Sequence, residues 1–242
     1  MKNLWILLAL FMTAAYPDAE TPEEREVPIE DVFSPLGFDS NDRSEIIVTG
    51  VLPNLCHKSP NHEIKIVDKK IMVTVTSLYY DESNPFCPEL EVPFTEVVNL
   101  GILNKGDYEV VVNQKTKHEK NANLLIEEAK SGAMDSFHYA LVDYVEKKEG
   151  SRKVNLVGYN PSDCFELDKI DYLSNGKDTL SVLPKMKQVK PFCAIKMTPF
   201  KFEFEVPTVL KKQKILLHVR KMDGRSENVV FDQAMAAPEL SE

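Results

Sequence analysis

Only four of the 242 residues are cysteine, nine are glycine and one is tryptophan. The glycines are scattered singly, so no glycine-rich loop is available to cradle a phosphate. The cysteines are widely separated and form no C-x-x-C, which argues against a redox-active or metal-binding thiol pair. There is no G-x-S-x-G, and His118, His138 and His218 have no recognisable serine and carboxylate partners, so a catalytic triad finds no support. Basic residues are in the minority, 29 against 38 acidic, for a net charge of −9. That balance disfavours nucleic acid or an anionic membrane as partner, because an acidic surface has nothing to neutralise there. Beyond the first dozen residues no run approaches the roughly 20 apolar residues of a membrane span.

What is present begins with Lys2, an apolar run from Leu4 to Met12 and a small-residue exit at Thr13-Ala14-Ala15. Residues 1–15 therefore read as a secretory signal peptide cleaved after Ala15. Its removal leaves 28 basic against 38 acidic residues, a net charge of −10. Residues 16–29 are polar and Glu-rich and read as a flexible leader, with order beginning near Ile29.

The chain then states one pattern twice. Gly50-Val-Leu-Pro53-Asn-Leu-Cys56 is followed by Cys87, Pro93-Phe94 and a strand ending at Val112. Gly158-Tyr-Asn-Pro161-Ser-Asp-Cys164 is followed by Cys193, Pro199-Phe200 and a strand ending at Val219. Of the three pairings open to four cysteines, the repeat selects Cys56 with Cys87 and Cys164 with Cys193, one bridge per module. Closing a loop of about 30 residues is worth roughly 3–4 kcal/mol in the chain-entropy model.

The strands read as short and regularly spaced. Tyr108, Val110 and Val112 share one face by period-two alternation, as do Phe200, Phe202, Phe204 and Val206. Ser174-Asn175-Gly176-Lys177 signals a type I′ hairpin. Asn123 to Ile126 fits a last short strand, and Leu124 to Ala129 fits one or two helical turns equally well. Phe137 to Val145 opens the second module, 108 positions after Asp31-Val32-Phe33 opens the first. These observations predict an all-β chain of two tandem antiparallel β-sandwich domains, residues 30–130 and 137–232, joined near Lys130 to Ser136 and followed by a disordered tail at 233–242.

The first module resembles a family of exported, periplasmic or secreted bacterial proteins of uncharacterised function. The residues that carry the resemblance are Gly37-Phe38-Asp39-x-Asn41-Asp42, Gly50-x-x-Pro53-x-x-Cys56, Pro93-Phe94 through Tyr108, Val110, Val112 and Asn113, and Tyr139-Ala140-x-Val142-Asp143. The resemblance implies tandem immunoglobulin-like modules and export, and it transfers no catalytic residue.

Candidates for chemistry are few. His57 and His62 are five positions apart, but a disulfide at Cys56 removes the nearest further ligand, so exposed loop histidines are expected. Asp39, Asn41 and Asp42 form an oxygen-rich run that would suit calcium weakly, against the more ordinary Asx turn. Tyr79, Tyr80, Pro85 and Phe86 lead into Cys87, whose bridge would tether a candidate recognition loop, against the equally open reading that both tyrosines finish a strand and pack locally. Lys211, Lys212 and Lys214 read as guards against edge pairing. The expectation is a non-catalytic exported protein that recognises a protein or cell-envelope component, with no cofactor, no metal, no nucleic acid and no membrane span. The rivals are a secreted protease inhibitor and a hydrolase with paired carboxylates between the modules.

Overall fold

The structure is a computed structural model and describes residues 21–80, 87–132, 135, 137–147, 151–207, 210 and 212–232. The expected signal peptide, the start of the leader and the C-terminal tail lie outside the described residues. Among the described residues, seventeen strands and one short 3-10 turn make up the regular structure. Among the described residues no helix is long and apolar enough to cross a membrane.

Module one contains β1 (Glu23–Glu26), β2 (Ile29–Phe33), β3 (Phe38–Asp39), β4 (Arg43–Leu52), β5 (His57–Val67), β6 (Lys70–Tyr79), β7 (Val92–Ile102), β8 (Gly106–Val112) and β9 (Lys120–Glu127). Module two contains β10 (His138–Tyr139), β11 (Val142–Lys147), β12 (Lys153–Asn160), β13 (Phe165–Ser174), β14 (Thr179–Gln188), β15 (Thr198–Glu205), β16 (Lys214–Arg220) and β17 (Ser226–Asp232). Leaving out β3, the two sets correspond strand for strand.

Each module is a sandwich of two sheets. In module one β2-β4-β7 faces a sheet built on β5-β6, where β1 and β8 lie end to end along one side of β6 and β9 and β3 continue outward. In module two β11-β12-β15 faces β13-β14 with β10 and β16 end to end along β14, then β17. The opening strand of each module therefore switches sheets between β1 and β2, or β10 and β11. Asn113 secures that crossing in module one: its carboxamide accepts from the Val75 amide at 2.7 Å and donates to the Val27 carbonyl at 3.0 Å.

The pleat decides the interior. Ile46, Val48, Val73, Val75, Tyr108, Val110 and Val112 fill the first core, and Val154, Leu156, Leu180, Val182, Ile215, Leu217 and Val219 the second. Phe204 and Val206 are buried, and Phe200 and Phe202 stack at 4.3 Å against the same core, as their alternation predicts.

The repeat extends to close backbone contacts. A Cβ on Gly50 would lie 2.3 Å from the Pro28 carbonyl and 2.7 Å from the Phe94 ring, and one on Gly158 would lie 2.1 Å from the Leu141 carbonyl and 2.8 Å from the Phe200 ring. Both glycines sit where the first strand bulges over its neighbour, which is why Gly recurs there.

Several expectations need correction. Order begins before Ile29: Glu23–Glu26 pairs with Thr76–Tyr79, and Val27 is fully buried beneath the crossing. Backbone pairing and one apolar anchor offset the polar composition that reads as a flexible leader. Ile29 pairs with Gly50 and Val142 with Gly158, an offset of 113 between the opening strands rather than 108. Module one has the longer connection into its second strand because it inserts β3. Of the two readings of the end of module one the strand is borne out, with Leu124 and Ile126 buried on it. Asn175 to Asp178 is a four-residue connection and not a type I′ turn: only Gly176 has positive φ, and Asn175 Oδ1 accepts from the amides of Lys177, Asp178 and Thr179.

Candidate functional site

The disulfides join equivalent connections, the one after β4 to the one after β6 as Cys56–Cys87 and the one after β12 to the one after β14 as Cys164–Cys193, with Cα atoms 5.1 and 5.5 Å apart. They tether loops at one end of each sandwich and leave no free thiol among the described residues.

The tethered loop of module one does not present its tyrosines as expected. Tyr79 ends β6 and is only 5 % exposed, with the Arg25 guanidinium 3.6 Å from its ring centre and the His57 ring at 4.8 Å. Tyr80 is half-buried near Lys58. Pro85 and Phe86 lie outside the described residues. Strand β1, which the composition hides, supplies the arginine that covers Tyr79. His57 and His62 are also not loop histidines: both belong to β5, His57 bonding Ser77 Oγ at 2.7 Å and His62 bonding Glu96 Oε1 at 2.9 Å. Among the described residues no group of three or more His, Cys, Asp or Glu is placed to hold a metal ion.

The loop of module two is exposed along its length. From Lys187 to Met197 every residue is exposed, with Phe192 at 90 % and Ile195 at 97 %. The backbone beneath these side chains is held at several points. Val189 donates to the Cys164 carbonyl at 2.7 Å, Lys196 to the Pro161 carbonyl at 3.1 Å, and Gln188 Nε2 to the Lys190 carbonyl at 2.7 Å. Cys164 is itself fully buried, so Cys193 is anchored to the sandwich. Leaving large apolar side chains in water on an anchored loop forgoes about 1.5–3 kcal/mol each.

A second arrangement lies between the modules. Strand β16 is buried on both faces: Ile215, Leu217 and Val219 enter the module-two core, while Leu216, His218 and Arg220 face module one. Leu216 packs with Phe33 and Ile47, flanked by Val97 and Val230. Next to this apolar contact, Arg220 Nη2 and Nη1 donate to the two carboxylate oxygens of Asp42 at 2.8 and 3.2 Å, and Nη2 also reaches Asp135 at 2.6 Å. Phe38 and Tyr139 bracket the guanidinium. Burial opposes the Arg220 charge, but hydrogen bonds and attraction from Asp42 and Asp135 hold its pKa above the ordinary value. Burial lifts the Asp135 carboxyl despite Arg220, and lifts the Tyr139 hydroxyl to about 12.

Asp39, Asn41 and Asp42 thus come together as a turn that meets module two. Asp39 Oδ1 accepts from the Asn41 amide at 2.9 Å, Asp42 Oδ2 accepts from the Asp39 amide at 2.8 Å, and Asn41 Nδ2 donates to the Ser131 carbonyl. This is the Asx geometry, with a guanidinium as the charge partner of Asp42. Lys212 and Lys214, read as edge guards, are inter-module ion pairs instead, with Asp31 and Glu30, both at 2.8 Å. Strand β16 needs no guard because β14 and β17 cover both its edges.

A further polar cluster surrounds Glu45, which accepts from Ser226 Oγ and from Asn228 Nδ2 at 2.6 Å, with His218 Nδ1 at 3.5 Å. Burial disfavours its charge, yet His218, Ser226 and Asn228 together bring its pKa below the ordinary carboxylate value. Sequence reasoning missed Glu45 and Arg220. The available signal was the polar, alternating face of Lys214 to Arg220, which reads as wet when its partner is unknown.

Between the modules a cleft of about 330 Å³ is lined by Asp39, Asp42, Glu127, Glu128, Phe137 and Tyr139 among others. Lys130 and Lys185 line it beside these four carboxylates. Asp42 is committed to Arg220, and Asp39 to its own turn.

A family model described as the ORF11 beta-sandwich domain matches residues 46–123, a span that runs from β4 into β9 and includes the first disulfide. No curated protein and no solved structure matches the chain. Similarity to that β-sandwich domain agrees with the two-sheet architecture of module one.

Proposed function

We propose that this is an exported binding protein without a catalytic centre, which recognises a protein or another cell-envelope component through the disulfide-tethered loop of module two. The observation that carries the reading is the near-complete exposure of Phe192 and Ile195 on a loop anchored by Cys164–Cys193. Export is supported by two disulfides, which persist in oxidising compartments, together with the signal-peptide pattern of residues 1–15. A non-catalytic role is supported by the commitment of the buried carboxylates to Arg220, Ser226 and Asn228. The inter-module contacts hold the loop on a braced scaffold, which lowers the entropy cost of binding.

The test is photo-crosslinking in the producing cell. A photoreactive residue at Ile195 is expected to give a discrete adduct, whereas one at Ile102, 63 % exposed on module one, is not. Equal labelling from both positions would remove the loop from consideration.

A further inference from the structure

The loop sits in a charge environment that the net charge conceals. From Thr179 to Phe202 the chain carries five lysines and no acidic residue, within a protein of net charge −9. The corresponding loop of module one, Asp81 to Glu91, has four acidic residues and no basic one. Three of the five lysines, Lys187, Lys190 and Lys196, belong to the exposed segment itself. Lys185 and Lys201 pair with Asp171 and Glu146, Lys190 pairs with Asp163 at 2.9 Å and Lys187 lies 3.8 Å from Asp168, so the exposed segment sets three lysines against two carboxylates and its surplus positive charge lies at Lys196.

Resting on the reading above, we propose that the partner is a lipid surface carrying anionic headgroups. In this mode Phe192 and Ile195 enter the acyl boundary, and Lys187, Lys190 and Lys196 lie at the phosphate level. The exposure supports this. Val189, Phe192, Ile195 and Met197 are all exposed on one loop, Phe192 and Ile195 almost completely. A rigid protein partner would need a matching cavity, whereas a fluid interface accepts an exposed loop of any outline. Lysine stems run along apolar surface and place their ammonium groups in the headgroup layer. The acidic remainder of the molecule does not prevent approach, because charges more than about 8–10 Å from the lipid are screened at physiological salt.

The experiment is sedimentation of the intact, disulfide-bonded protein with vesicles of pure phosphatidylcholine and with vesicles containing about a third phosphatidylglycerol. The wild type is expected to co-sediment, better with the anionic vesicles, and less well as salt is raised. Phe192→Ser with Ile195→Ser should reduce binding to both vesicle types by about tenfold or more, at an unchanged unfolding midpoint because both side chains are exposed. Replacing Lys187, Lys190 and Lys196 by Gln should abolish only the preference for anionic vesicles. Equal sedimentation of wild type and the Phe192/Ile195 variant, or none by the wild type, would overturn the lipid assignment. If vesicles are not bound but the Ile195 crosslink to a protein persists, the loop reading stands and the lipid inference fails. If neither is seen, both fail.

Discussion

Arg220 and Asp42 are 178 positions apart in sequence and form a two-point ion pair at the boundary between the modules, with Arg220 only 2 % exposed. Asp135, from the segment that connects the modules, shares the same guanidinium. Arg220→Met would leave two carboxylates without their cation in a largely dry site. A loss of about 3–5 kcal/mol is expected from removing one partner of a buried pair. Urea unfolding measures it, and Arg220→Met combined with Asp42→Asn should recover part of the loss. A single variant that unfolds at the wild-type midpoint would show that the pair contributes nothing.

Glu45 gives the interface a pH dependence. Its folded-state pKa lies below the ordinary value, so its contribution is present at neutral pH and is lost as pH falls through the folded pKa. Glu45→Gln should therefore cost about 1.5–3 kcal/mol at neutral pH, the scale of a hydrogen bond to a charged group. The gap between wild type and variant should close in acid. Denaturation midpoints at a series of pH values decide the matter, and a gap that widens in acid would contradict the assignment.

Gly50→Ala and Gly158→Ala should be destabilising to a similar degree, about 1–3 kcal/mol each, because the new methyl meets a backbone carbonyl that cannot swing aside. Thermal unfolding of the two variants tests the equivalence of the modules directly. A harmless Gly158→Ala beside a damaging Gly50→Ala would show that the repeat does not extend to this contact.

Replacing Cys164 and Cys193 by Ser should lower stability by roughly 3–4 kcal/mol through the loop of about 30 residues that the bridge closes. It should also release the Lys187–Met197 segment, seen as faster proteolysis there than in the oxidised wild type. Peptide mapping without reduction is expected to recover Cys56–Cys87 and Cys164–Cys193, and a bridge between modules would refute the pairing.

Sequence patterns are legible where one face of a strand is dry and the other wet. Phe200, Phe202 and Phe204 alternate with the exposed Lys201, Glu203 and Glu205, and their place against the core follows directly. The cysteine pairing was legible because the repeat supplies a second copy of the same evidence. The inter-module face was not, since Lys214, His218 and Arg220 alternate with the core residues of β16 as solvent-facing residues would, and are covered only because Asp42, Glu45 and Glu30 present the complementary charge. Tyr79 misled for a related reason. An aromatic residue before a proline-containing loop looks like a recognition residue, and only the pairing of Glu23–Glu26 along β6 shows that Arg25 covers it. The exposed loop of module two was hidden because Phe192 and Ile195, as apolar residues near a cysteine, resemble ordinary core.

Strand β16, with module-two core on one side and module one on the other, has a consequence for the integrity of the molecule. A cut through the connecting segment would not release two independent proteins. It would put Leu216, His218 and Arg220 into water on one half, and Phe33 and Ile47 on the other. The repeat suggests beads on a string, but the stacking makes a laminate whose layers share their adhesive. Its expected calorimetric signature is one endotherm for the whole chain and not one for each disulfide-bonded half.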